Sequence, residues 1–133
     1  MTTELQMLTY AAVLMIVQSL SVLIAHISVA GLRYGFGNRD EDVALPGWGE
    51  RVVRAHRNML ENLIPFTALV LAAHLAGVSN DETARGATFF FWGRVAHALI
   101  YVAGVPYLRT VAFIVAIGGM FEIAGALIRA AAA

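Results

Sequence analysis

The sequence predicts an all-α integral membrane protein, folded as an antiparallel four-helix transmembrane bundle. Three observations carry this expectation. The 133 residues are 59% hydrophobic and only 14% charged, with a mean hydropathy of +0.72. A soluble domain of this size has too little interior to hide that apolar surface. The apolar residues fall into four segments long enough to cross a bilayer. The connections between them are short, which favours antiparallel neighbours. One membrane domain, residues 1–133, accounts for the whole chain.

The first helix is expected over about residues 5–32. The run from Leu5 to Leu32 carries no acidic or arginine residue, and it is long enough to span with some tilt. "SVAG" at 28–31 has the small residues of a cleavage site, but the first charge is Glu4 and no arginine precedes Arg33. A secretory signal wants a positive start and a shorter apolar core, so a retained helix is expected. The loop "RYGFGNRDEDVALPGWGE" follows, rich in glycine and acids. The second helix is expected over 50–77, with Pro65 loosening or kinking it. "VSNDETAR" reads as a short turn, and a third helix follows over 86–103. Gly104 can cap that helix, and Pro106 suits the first turn of a fourth helix over 106–129.

Composition excludes several function classes. Net charge is zero and lysine is absent, and no basic run with interleaved aromatics points to nucleic acid. There is no cysteine, so any thiol chemistry must come from a ligand. No histidine–carboxylate set has metal spacing, and neither a serine–histidine–acid set nor a phosphate loop is present. Arg33, Arg39, Arg51, Arg54, Arg57 and Arg109 lie at or near the first and third loops, against Arg85 and Arg129 on the other side. The positive-inside rule puts those two loops in the cytosol.

The informative stretch is "RVVRAHRNMLENLIPF", residues 51–66. At about 100° per residue, Arg54, Arg57, Asn58, Glu61 and Pro65 fall within an arc of roughly 100°. Each ionised side chain facing lipid costs about 2.5–3.5 kcal/mol at a helix centre, so this face is expected to turn toward the bundle interior or a partner subunit. Arg57 and Glu61 are spaced to pair. On the third helix Arg94, His97 and Tyr101 share a face, and Arg94 is expected to meet an acid, Glu61 or Glu122. Arg109 stands in the first turn of the fourth helix, with Thr110 beside it, where free N–H groups favour an anion. In an antiparallel bundle these groups gather at one depth. Converging arginines there suit a ligand with several carboxylates.

"RAHRNMLENLIPF" and "GRVAHALIYVAGVPYLRT" resemble two sequence blocks of the superfamily of membrane-associated proteins in eicosanoid and glutathione metabolism, among its bacterial-type members. Chain length and the four-span plan match as well. The resemblance implies a homotrimer, a multi-pass location in the bacterial inner membrane, and glutathione bound between neighbouring subunits. Arg57, Asn58 and Glu61 would hold its peptide, Arg54 would lie near its carboxylates, and His97 and Tyr101 would contribute from the third helix. Arg109 would face the thiol as the catalytic group. Thr110 stands where some members carry serine, and Phe113 where some carry tyrosine. The implied activity is that of a glutathione-dependent transferase or peroxidase acting on lipophilic electrophiles or lipid hydroperoxides that arrive through the membrane lipid. The alternative is a non-catalytic lipid-binding or scaffold member, and a small transporter is the third class.

Overall fold

The computed structural model describes residues 1–133, and 85% of them are helical. The helices are α1 (Thr3–Phe36), α2 (Gly47–Leu75), α3 (Asp81–Ala103) and α4 (Pro106–Ala132). Three of them, α1, α2 and α4, are long and apolar enough to cross a membrane. Helix α3 is more polar, but its 23 residues reach about 34 Å at 1.5 Å each.

Contacts at both ends fix the antiparallel order. At one end the Glu4 carboxylate accepts from Ser79 Oγ at 3.0 Å and from the Thr83 hydroxyl, tying the start of α1 to the α2–α3 turn. There too Arg129, near the end of α4, pairs with Glu82 at the start of α3. At the opposite end Arg51 Nε, early in α2, donates to the Val102 carbonyl of α3 at 2.9 Å. Helix α3 touches all three others, whereas α1 and α4 do not touch.

The buried positions repeat with a period near seven. On α1 they are Glu4, Ala11, Gln18 and Ala25. On α4 they include Ala112, Ala116, Gly119, Ile123 and Ala126. This spacing keeps one seam of a helix facing its partners and marks left-handed bundle packing. The centre of the core is a stacked pair, Phe66 on α2 and Phe90 on α3, with ring centroids 3.7 Å apart. Leu20, Ile24, Ile64, Leu99, Ile114 and Phe121 remain more than half exposed, as expected of surfaces that meet lipid or another copy.

The closest seam is α3 against α4. A Cβ on Gly86 or Gly119 would collide with the other glycine's carbonyl, and one on Gly93 would sit 2.9 Å from the Ala116 backbone nitrogen. Small residues let these backbones approach, and membrane helices gain most of their association energy from such packing.

Several local features differ from the expectation. Helix α3 begins at Asp81, five residues early, because Asn80 builds a capping box. Its Oδ1 accepts from the Glu82 and Thr83 backbone N–H groups, both at 3.0 Å, and its own N–H donates to Thr83 Oγ1 at 2.9 Å. The acids in "DETAR" therefore sit in a first turn, where they suit the helix dipole. Helix α1 breaks at Gly31 (φ 77°, ψ 169°) and resumes to Phe36. A side chain would resist that left-handed φ. Helix α2 runs on through Pro65 uninterrupted.

The adjacent glycines 118 and 119 provide an internal control. A Cβ on Gly118 meets nothing within 4 Å, whereas one on Gly119 meets the α3 backbone. Gly119→Ala is expected to lower stability by about 1–3 kcal/mol through overpacking, and Gly118→Ala to leave it level or slightly raised. Unfolding titrations of the two variants in mixed micelles check this.

Candidate functional site

Helices α2, α3 and α4 leave a cleft of about 220 Å³ lined by Asn58, His97, Tyr101, Arg109, Thr110 and Phe113. It lies toward the end where α2 starts, α3 stops and α4 starts. Five of its six residues are ones the sequence singles out. No carboxylate lines it.

Under the cleft lies Arg94, with no exposed surface. Its guanidinium meets no acid. Nη1 donates to Asn58 Oδ1 at 2.9 Å and Nε contacts Met59 Sδ at 3.4 Å, while Nη2 has no partner. This corrects the expectation of an acidic partner. Glu122 instead pairs with Arg85 at 3.1 Å, and Glu61 is exposed on α2. The Arg94 bond fixes the Asn58 amide, leaving its NH₂ as the end that can serve a ligand.

The α3–α4 turn delivers Arg109. Gly104 takes a left-handed conformation (φ 81°) and closes α3. The Arg51 side chain lies against the turn, its Nε 3.4 Å from where a Cβ on Gly104 would stand, and donates to the Val102 carbonyl. In the sequence Arg51 stands out only as one arginine near the first loop; a cation opposite a helix end is the one signal of this clamp. Pro106 then starts α4 without a side-chain cap, so the first N–H groups stay free. The Arg109 guanidinium carbon lies 4.5 Å from the Tyr101 ring centroid, a cation–π distance, and Arg109 forms no ion pair. His97 is edge-on to Tyr101, with centroids 5.3 Å apart, and its Nδ1 has no partner. Thr110 Oγ1 reaches the Pro106 carbonyl at 3.4 Å. The cleft thus offers a cation, an amide NH₂ and the Tyr101 phenol, a set suited to an anion.

The other three expected residues lie elsewhere on α2. Arg54 pairs with Glu50 at 2.9 Å with both side chains about half exposed. Arg57 and Glu61 are exposed and do not pair with each other. The helical arc explains this division. The buried line of α2 runs through Ala55, Met59, Asn62 and Phe66. Asn58 is the edge of the polar arc nearest that line, and Arg57 the edge farthest from it. The bundle boundary cuts between them. Phe113, noted in the sequence only for its missing hydroxyl, closes the cleft on the α4 side.

A sequence profile for the MAPEG family matches residues 5–129. Microsomal glutathione S-transferase 1 of Mus musculus is 35% identical over 81 residues, covering 60% of this chain and 52% of that protein. The Rattus norvegicus protein of the same name is 35% identical over the same shares, and the Homo sapiens protein 33%. The chain therefore aligns with about half the length of these relatives. The profile covers nearly all of it, including α2, α3 and the start of α4 that build the cleft, and on that ground the protein belongs to the MAPEG family.

Proposed function

We propose that the protein is a glutathione-dependent membrane transferase or peroxidase, with Arg109 activating the thiol. The observation that carries this reading is the cleft itself. An unpaired guanidinium and several donors face it, and no carboxylate does. Glutathione brings two carboxylates and a thiol that gains from ionising. A cation beside a thiol stabilises the thiolate and raises its fraction at neutral pH. The thiol proton leaves to water at the open end of the cleft. The thiolate then attacks an electrophilic carbon, forming a sulfur–carbon bond as the leaving group departs. On a lipid hydroperoxide it takes the distal oxygen, giving an alcohol and a glutathione sulfenic acid, which a second glutathione converts to disulfide and water. The named relatives are glutathione transferases, which supports this choice of thiol. The apolar flanks suit a lipophilic second substrate arriving from the bilayer, and the bacterial inner membrane is the expected setting.

At about 220 Å³ the cleft is smaller than the roughly 300–1,000 Å³ of ordinary ligand pockets. It holds part of a tripeptide, so the remaining contacts come from outside it. Arg57 and Glu61 stand exposed on α2 with no partner in their own chain, in a segment where exposure to lipid is costly. In a homotrimer they would reach the ligand held in a neighbour's cleft, with Arg54 near its carboxylates.

Three outcomes are expected. Adding glutathione to the purified protein gives thiolate ultraviolet absorbance; Arg109→Ala removes it and lowers kcat/KM by about 100-fold. A wild-type protein with no thiolate signal contradicts the reading. Second, Arg94→Met raises the KM for glutathione about ten-fold by freeing the Asn58 amide, without lowering the thermal midpoint, since a buried charge replaced by an apolar side chain is often neutral or stabilising. An unchanged KM removes the role assigned to Arg94. Third, copies carrying Arg109→Ala mixed with copies carrying Arg57→Ala recover activity that neither has alone. No recovery in verified mixed oligomers places the whole site within one subunit.

A further inference from the structure

The line of buried residues on α1 contains one that the bundle leaves unexplained. Ala11 and Ala25 are small and fully buried, and Glu4 is satisfied by Ser79 and Thr83. Gln18 is only 8% exposed, yet neither its Oε1 nor its Nε2 has a hydrogen-bond partner. An enclosed, unpaired amide costs about 1–3 kcal/mol on mutational scales, and membrane segments normally satisfy such groups.

Gln18 borders a groove of about 460 Å³ between α1, α2 and α3. Val17, Val52, Leu99 and Val102 form much of its wall, and the only other polar lining residue is Ser21. The Ser21 hydroxyl is already committed, donating to the Val17 carbonyl at 2.8 Å. No charged residue lines the groove. Its lip includes Val17, 53% exposed, and Leu99, 69% exposed, so it opens on the apolar flank of the bundle.

These features specify an occupant. The walls call for an alkyl chain. The absence of any counter-charge disfavours an ionised head, because an unpaired charge in such a place is far more costly than a neutral polar group. The free amide calls for a head that both donates and accepts one hydrogen bond. We propose that this groove binds a long-chain alcohol or primary amide from the bilayer, with its head on Gln18. Both amide atoms are enclosed when the groove is empty, so this binding requires a rotamer change that turns the amide into the groove. A helix of a second copy fits less well: at about 10–12 Å across it would lie over the lip at Val17 and Leu99 rather than enter the groove. The groove is distinct from the cation cleft. Ala98, Leu99 and Val102 face it from α3, whereas His97 and Tyr101 face the cleft, and about 200° of helix separates Leu99 from His97.

The test is photolabelling of the full chain in phosphatidylcholine vesicles with a diazirine-bearing hexadecanol, followed by peptide mapping. Diazirine-bearing hexadecane and hexadecyl phosphate serve as comparisons. Saturable labelling of α1 near Gln18 and of α3 near Leu99 is expected with the alcohol but not with the headless or charged chains. Gln18→Leu, close in size and free of the unpaired amide, should weaken saturation by about five-fold, the effect of one hydrogen bond. Leu99→Trp, at an exposed position, should narrow the lip and reduce labelling without unfolding the protein. Non-saturable labelling, equal labelling by the phosphate, or an unchanged Gln18→Leu profile each overturns the proposal. So does a Gln18→Leu protein whose labelling is intact but whose oligomer dissociates, since the amide would then serve a second copy.

Discussion

A guanidinium buried without a counter-charge is the constraint on which this site depends. Arg94 sits in the middle of α3, which like α2 touches every other helix, and has no exposed surface. A buried cation normally takes a carboxylate. Here it takes an amide oxygen and a thioether from α2. That choice joins α2 to α3 at the base of the cleft and leaves the positive charge uncompensated. With Arg109 at the rim, also unpaired, the cleft is positive on two levels and carries no acid. The missing negative charge is what an anionic ligand would supply.

The rest of the bundle holds this arrangement in register. Glycines at 86, 93 and 119 let α3 and α4 approach backbone to backbone, which sets Arg109 against Tyr101. Arg51 locks the α3–α4 turn from α2. At the opposite end, Glu4 and Arg129 tie α1 and α4 to the start of α3. The cleft is thus held by Arg51 at its own end and by the Glu4 and Arg129 contacts at the far end of the bundle. Apolar area in the core plays a smaller part than in a soluble protein, since lipid is as apolar as the side chains it would replace.

Much of this was legible in the sequence, for physical reasons. Four apolar segments and their breaks set the helices, because a bilayer admits few alternatives. Arg94, His97 and Tyr101 follow helical spacing, and Pro106 marks the start of α4, so the α3–α4 half of the site could be read directly. The α2 half could only be read as an arc. Spacing alone did not reveal that the bundle boundary passes between Arg57 and Asn58; that depends on where Met59 and Asn62 pack. The partner of Arg94 was missed because charge pairing suggested an acid, whereas geometry supplied Asn58. The early start of α3 departs from the expectation because "VSNDETAR" reads as a turn, whereas Asn80 and Thr83 build a capping box that opens the helix within it. Gln18 gave no signal at all, since a lone glutamine in an apolar run reads equally well as exposed.

On the proposed function, the uncompensated cations in and beneath the cleft hold a thiol-bearing anion. A structure of the assembled protein determined with glutathione tests this most directly. The expected result is glutathione with its sulfur at the Arg109 guanidinium, its backbone against Asn58, and Arg57 or Glu61 of a neighbouring copy closing over it. Glutathione bound away from Arg109, or a cleft that stays empty at saturating glutathione, would contradict it.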